Sequence, residues 1–572
     1  YDHTTGENRA ITVWPDNPMG AGADVLKYRF QWNFPIFFSP HNPKKLYCAG
    51  NALFVTDNEG ASWTQISPDL TTNDKSKQFS SGGPITKDNT SVEYYCTIFT
   101  AIESPLEKDC IWSGSDDGLV HISRDGGKSW NNVTPANVPA LMMWNAIDVD
   151  PFKKGAVYIT GTRYKLDDYT PYIYKTEDYG KSWKLITAGI DKMHFTRVAR
   201  ADQKRPGLLY AGTEFGMYIS YDDGNNWQRF QQNLPVTPIT DLTIKNNDLV
   251  VATQGRSVWI IDDLSMVQQI DNSIITKKLH VYQPNPTYRV APTQNRWGGA
   301  LSLPATAAPN PPKGAVINFF SNSITDSSKA SVVIYDVAGK EITRGSTDSK
   351  TNPINLSKGH NRFIWDLQYP AAEKVDDLIL WNGVPGTITA PPGVYYAVVT
   401  VNNDSVRVPI QLLADPNYRC SQADYEAQFA FLQQVQGTFN ETMKAIKNIR
   451  QARSQLKDFV QRQGKACPKE LSALSDSLVK AMTAIEEQLH QTKAKSGQDV
   501  LNYPIRLDDK LGGVFDMANS GNMAPPQQAK EVYAVLAQQV EAATRELQQL
   551  LDGGIKAFNA MVKEKGLPVI VL

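Results

Sequence analysis

The chain reads as a multidomain, mainly β protein in three parts: radial β-propeller blades, then a β-sandwich, then an antiparallel α-helical bundle. Three observations predict this. A turn string closed by tryptophan recurs through residues 1–268, with short strand-like runs around each copy. Residues 313–415 alternate apolar and polar positions between turn signals. From residue 416 the apolar spacing changes to three and four.

The 572 residues suffice for about three or four domains. With 41% hydrophobic and 20% charged residues, the composition is that of a globular protein. The net charge of −1 argues against a nucleic-acid binder, which carries a basic excess. No apolar run approaches the ~20 residues of a membrane-spanning helix. The chain opens on Tyr1 rather than Met, which suggests a mature or cleaved product, or part of a longer chain. The five cysteines form no CxxC pair and no Cys/His cluster, so zinc and redox readings have no support; the seven scattered histidines show no metal spacing, and no metal or cofactor is expected. Cys420 and Cys467 bracket a predicted helix too long for a disulfide between its ends.

The recurrent string appears at Thr56–Trp63, Ser123–Trp130, Thr176–Trp183 and Ser220–Trp227, and in degenerate form around Thr253–Trp259, before Asp262 and Asp263. Its structural positions are Asn58, Gly60 and Trp63; Asp125, Gly127 and Trp130; Asp178, Gly180 and Trp183; and Asp222, Gly224 and Trp227. The glycine supplies a left-handed turn residue, the Asp or Asn bonds turn amides, and the Trp packs. A β-branched run such as "CIWSG" or "LLYAG" and then a shorter run such as "LVHIS" precede each box, and another run such as "WKLIT" follows it. Earlier runs, "IFFSP", "TIFTAIESP", "WNAIDVDP", "FTRVARA" and "ITDLTI", complete four strands per unit. The boxes are therefore expected to staple blades, far from the channel where propellers bind ligands.

Residues 269–312 are rich in Pro, Asn and Ala and predict an extended linker. The runs "AVINFF", "ASVVIYDVAGKEI", "NRFIWDLQYP" and "GVYYAVVTV" predict the sandwich of 313–415, with Trp365 in its core. In 416–572, one stripe runs from Leu432 to Val460 and another from Leu471 to Leu489. A third takes Val532, Val535, Val540, Ala543, Leu547, Leu550 and Phe558, with a shorter helix around Leu507–Met517.

The boxes resemble the Asp-box, or BNR, repeats of sialidases, xyloglucanase-type glycoside hydrolases and sortilin-like receptors. Strings such as "ESPLEKDCIWSGSDDGLVHISRDGGKSW" and "GLLYAGTEFGMYISYDDGNNWQRF" look like a Bacteroidetes-type sortilin-like repeat family labelled glycosyl hydrolase. The resemblance implies a seven-bladed propeller whose earlier blades lie on a preceding or separately cleaved segment; a closed five-bladed ring is the alternative. "GHNRFIWDLQYP" with "PPGVYYAVV" resembles the immunoglobulin-like sandwich of secreted bacterial proteins. It further implies a secreted, periplasmic or cell-surface protein that binds protein, peptide or glycan. The alternatives are a glycoside hydrolase and an accessory subunit of an outer-membrane complex.

Hydrolysis would need two carboxylates across a cleft. Candidates are Asp116, Asp117, Glu214 and Asp241, with Asp167 and Asp168 beside them, although Asp-Asp-Gly is also an ordinary turn. For ligand binding the candidates are Arg163, Arg200, Arg256 and Trp144, together with Trp32, Tyr164 and Phe215. Strand alternation puts Arg197 and Arg200 on opposite faces, so only one of them is expected to face inward.

Overall fold

The computed structural model describes residues 1–290 and 308–568 and divides into two compact units, Tyr1–Gln268 and Gln269–Leu572. The first unit holds five antiparallel sheets in chain order. Four are four-stranded, starting at Ile36–Ser39, Ile98–Glu103, Met143–Val149 and Thr196–Ala201. The fifth has three strands, Ile239–Lys245, Asp248–Thr253 and Val258–Ile261. From the second sheet to the fifth, the first strands pack side by side, as inner strands of blades do. Second strands such as Ile111–Ser115 and Leu209–Thr213 are buried along their whole length, sandwiched between neighbouring sheets.

The boxes form one repeated hydrogen-bond unit. Ser129 donates its backbone N–H to Asp125 Oδ1 at 2.9 Å and its hydroxyl to Oδ2 at 2.6 Å. The Gly127 N–H donates to Ser123 Oγ at 2.8 Å. The same bonds join Asp178 to Ser182 and Asp222 to Asn226, and Asn58 accepts from the Ser62 N–H at 3.0 Å. Bonds from Ser129 and Ser182 hold Asp125 and Asp178 down to about 2. The glycine closes against the preceding sheet: a Cβ on Gly127 (φ +95°) would meet the Ile66 carbonyl at 2.5 Å.

The tryptophans reach further than the sequence indicates. Trp130 Nε1 donates to the Ile66 carbonyl at 2.9 Å, Trp183 to Val133 at 2.8 Å and Trp227 to Ile186 at 2.7 Å. Each acceptor is the residue directly after the outermost strand of the preceding sheet, so the box ties sheet to sheet rather than only closing a hairpin. Trp63 finds the same partner in Ile11, at 3.0 Å. Residues 1–15 form no strand, yet Ile11 stands where Ile66, Val133 and Ile186 stand. The degenerate fifth box departs from the pattern: Trp259 donates to Arg256 within its own turn.

In the second unit a three-stranded sheet orders Leu279–Val281, Ala315–Ser321 and Gly359–Trp365. A five-stranded sheet orders Thr287–Arg289, Asp404–Ala414, Gly393–Val401, Ala330–Tyr335 and Glu341–Ser346. The expected linker is therefore corrected at 279–289, where two short strands join the sheets and bury Leu279, Val281 and Tyr282. Residues 291–307 of that linker lie outside the described residues. Helices Gln422–Gln463, Lys469–Leu489, Leu507–Ala518, Gln527–Gln549 and Lys556–Glu564 follow. Ser421 and Asp424 form a capping box that starts the first of them.

Strands and helices of this unit share one apolar core, reaching from Phe319 and Trp365 to Phe439 and Phe515. The third helical stripe is also corrected. Val532 and Val535 are 49% and 55% exposed, and the buried line is Ala529, Leu536, Val540, Ala543 and Leu547. Period alone admits both readings, and the neighbouring helices select the second. All five cysteines are free.

Candidate functional site

The inner strands of the first unit frame a cavity of about 1150 Å³. One irregularity recurs in its wall. The second to fifth inner strands each carry a β-bulge at the same place, which leaves Phe99, Asn145, Arg197 and Thr240 without a cross-strand partner. All four line the cavity. A bulge inserts an extra residue and resets the alternation of side chains. Arg197 and Arg200 consequently both line the cavity, which corrects the expectation that only one faces inward.

The arginines are held differently. Arg200 donates to the Leu242 carbonyl and to Asp241, both at 2.8 Å, and so clamps the fourth inner strand to the fifth. Arg163 donates to the Ala140 carbonyl at 3.0 Å and to Asp168 at 2.5 Å. Arg197 pairs with Glu214 at 2.7 Å and lies 5.4 Å from the Tyr164 ring and 5.2 Å from the Phe195 ring. Those two rings stack at 5.1 Å. The guanidinium is thus held at the cavity wall by a carboxylate and an aromatic pair.

The carboxylates separate into distinct roles. Asp116 lines the cavity and accepts the Thr97 N–H and hydroxyl, both at 2.8 Å. Burial pushes its carboxyl up to about 7, against those two hydrogen bonds. Asp117 turns away and accepts the N–H and hydroxyl of Thr72 at 2.8 and 2.6 Å. Asp241 and Glu214 are occupied by Arg200 and Arg197, and Asp168 by Arg163 and the Tyr172 hydroxyl. Asp167 sits in a left-handed turn position.

Among the sequence-predicted ligand residues, Arg163 and Arg200 line the cavity, as do Trp32 and Tyr164. Trp144 does not: it is fully buried and donates to the Gly118 carbonyl at 2.9 Å. Arg256 lies in the exposed turn between the last two strands, and Phe215 stacks on His194. Sequence reasoning missed Phe99, Asn145 and Thr240, because a bulge depends on the partner strand. It also missed Asp148, which accepts the Ala201 N–H at 2.7 Å across adjacent sheets and which burial pushes up to about 6.

Among the described residues no cluster of three or more His, Cys, Asp or Glu could hold a metal ion. No described helix is long and apolar enough to cross a membrane.

Residues 118–254 match the Sortilin-Vps10 family, described as sortilin, neurotensin receptor 3. The fold resembles several solved structures distantly. The GH74 xyloglucanase from Xanthomonas campestris is 17% identical at a TM-score of 0.31, over 40% of this chain and 36% of that one. A structure of YCF48 bound to D1 peptide is 21% identical at 0.23, over 28% and 54%. The GH74 enzyme of Niastella koreensis is 10% identical at 0.30, over 66% and 57%. This chain thus spans less than two thirds of each of those proteins. No curated protein matches it in sequence. The first unit is thus an array of blade-like antiparallel sheets whose residues 118–254 resemble the Sortilin-Vps10 family, followed by a mixed unit that ends in helices.

Proposed function

We propose that the protein is an interaction platform whose propeller array binds a protein, peptide or glycan ligand in the cavity framed by its inner strands. The lining carries this reading: Trp32, Phe37, Phe99 and Tyr164 offer ring surface, and Arg163 and Arg197 offer oriented donors. Broad aromatic contact with a few fixed polar groups is the usual make-up of a binding pocket. Peptide and glycan arrays test it with three proteins: wild type, Arg197→Ala and Phe99→Ala. A loss of tenfold or more with an unchanged unfolding midpoint is expected for both variants. Undiminished binding by both would refute the reading.

In the same proposal the array is part of a larger, seven-bladed ring completed by a preceding or companion segment, in a secreted or envelope-bound protein. Ile11, in the place of the residue that follows an outer strand in the other sheets, supports this. So do the apolar residues left open at both ends of the array: Ile36 and Phe38 in the first sheet, Val258 and Ile260 in the last. The paired sheets of the second unit are, in this reading, an immunoglobulin-like module.

Asp116 favours a second reading, glycoside hydrolysis, since a buried carboxyl pushed up to about 7 is suited to act as a general acid. Assay against a panel of polysaccharides, with Asp116→Asn as control, decides it: turnover lost in the variant supports hydrolysis, and no turnover by wild type removes it.

A further inference from the structure

In the second unit, three side chains linked through shared neighbours carry buried hydrogen-bond donors without an acceptor. Arg289 ends the strand Thr287–Arg289, which runs parallel to the end of Asp404–Ala414. It is 6% exposed. Its Nη2 donates to Gln428 Oε1 at 3.1 Å, whereas Nε and Nη1 are buried with no partner. The guanidinium lies 4.8 Å from the centre of the Tyr425 ring, and the Tyr425 hydroxyl is likewise buried and unpartnered.

Gln428 leads to the third member. Its amide donates to the carbonyls of Ala518 and Gly521, and the next residue, Asn522, has an unpartnered, buried Nδ2. The Asn522 carbonyl is taken by Cys420 Sγ. Among the described residues no carboxylate pairs with Arg289. Asp415, one residue beyond the ladder partner of Arg289, spends Oδ1 on the N–H and amide of Asn417 at 2.9 and 3.0 Å.

An arginine stays charged in a protein, and a buried charge without a counterion is strongly unfavourable. Tyr and Asn donors left dry beside it add to the penalty. All these unmet groups call for acceptors, which a compact anion supplies with several oxygens at once.

We propose that Arg289, Tyr425 and Asn522 form a binding site for a small oxyanion, of the carboxylate, sulfate or phosphate class. Bound there, the ion joins the strand at 287–289 to the first turn of the helix Gln422–Gln463 and stabilises the second unit.

The test uses the full chain and sodium sulfate, phosphate or acetate against chloride at constant ionic strength. For wild type, the unfolding midpoint of the second unit is expected to rise by about 3 °C per tenfold increase of the effective anion beyond its dissociation constant. Arg289→Gln loses that dependence, and Tyr425→Phe weakens it. Which of the three salts acts identifies the oxyanion. Crystals of wild type grown with selenate are expected to show an anomalous peak beside the guanidinium, which keeps the proposal testable if the Arg289 variant does not fold. Equal midpoint rises in wild type and Arg289→Gln, or water alone at the site, would overturn it. So would a selenate peak without any anion-dependent midpoint in wild type, since that marks an adventitious ion only.

Discussion

Replacing Trp227 with Phe isolates the tie between sheets. Trp227 is 5% exposed, and its indole N–H reaches the carbonyl of Ile186, itself a buried residue, at 2.7 Å. The Phe variant keeps an aromatic ring but leaves that carbonyl without a donor in a site water does not reach. Such an orphaned group costs about 1–3 kcal/mol, and the smaller ring leaves a void worth about another 1–2 kcal/mol. A total near 3 kcal/mol corresponds to a fall of about 6–12 °C in the midpoint of a unit this size. Trp130→Phe is the internal control. Both Trp130 and its acceptor residue Ile66 are only half-buried, so water replaces the lost donor and the expected cost is about 1 kcal/mol. Calorimetry of both variants reads the difference directly, and ligand binding at the cavity stays unchanged in each. Equal losses, or a Trp227→Phe protein as stable as wild type, would show that the indole bond does not hold the array together.

A carboxyl raised from 3.8 to about 7 keeps its proton in the folded state while the unfolded chain releases it, so Asp116 makes the first unit lose stability as pH rises from about 4 to 7. Asp116→Asn flattens that stretch of the stability–pH profile, by at most about 4 kcal/mol; an unchanged slope in denaturant titrations would contradict the assignment. In the second unit, Asp509 accepts the backbone N–H groups of Trp381 and Asn382, both at 2.7 Å. Asp509→Ala strands two donors and is expected to cost about 2–4 kcal/mol in chemical denaturation. Leu536→Ala costs about 2–4 kcal/mol, whereas Val535→Ala on the same helix changes stability by less than about 0.5 kcal/mol.

What could be read from sequence divides along a physical line. The boxes were legible because a turn is local: Ser123, Asp125, Gly127 and Ser129 bond one another within seven residues. The runs that became inner strands were legible for the same reason. Relations fixed by a distant partner were hidden. The acceptor of Trp130 lies 64 residues away, and the ladder partner of Arg289 is Ala414. The site was half visible: Asp116, Arg163, Arg200 and Asp241 line the cavity, but nothing in "FTRVARA" announces the bulge that turns Arg197 toward it as well. Trp144 misled because a large ring on an inner strand serves packing between sheets as readily as contact with a ligand.

The bulges have a consequence for how such a surface can change. Phe99, Asn145, Arg197 and Thr240 make no ladder pair, so the ladders around them stand whichever side chain each one carries. One such letter in each of the second to fifth sheets makes a four-letter word written on an indifferent frame. Selection, natural or in a library randomised at those codons, can respell the recognition surface while the architecture stays silent.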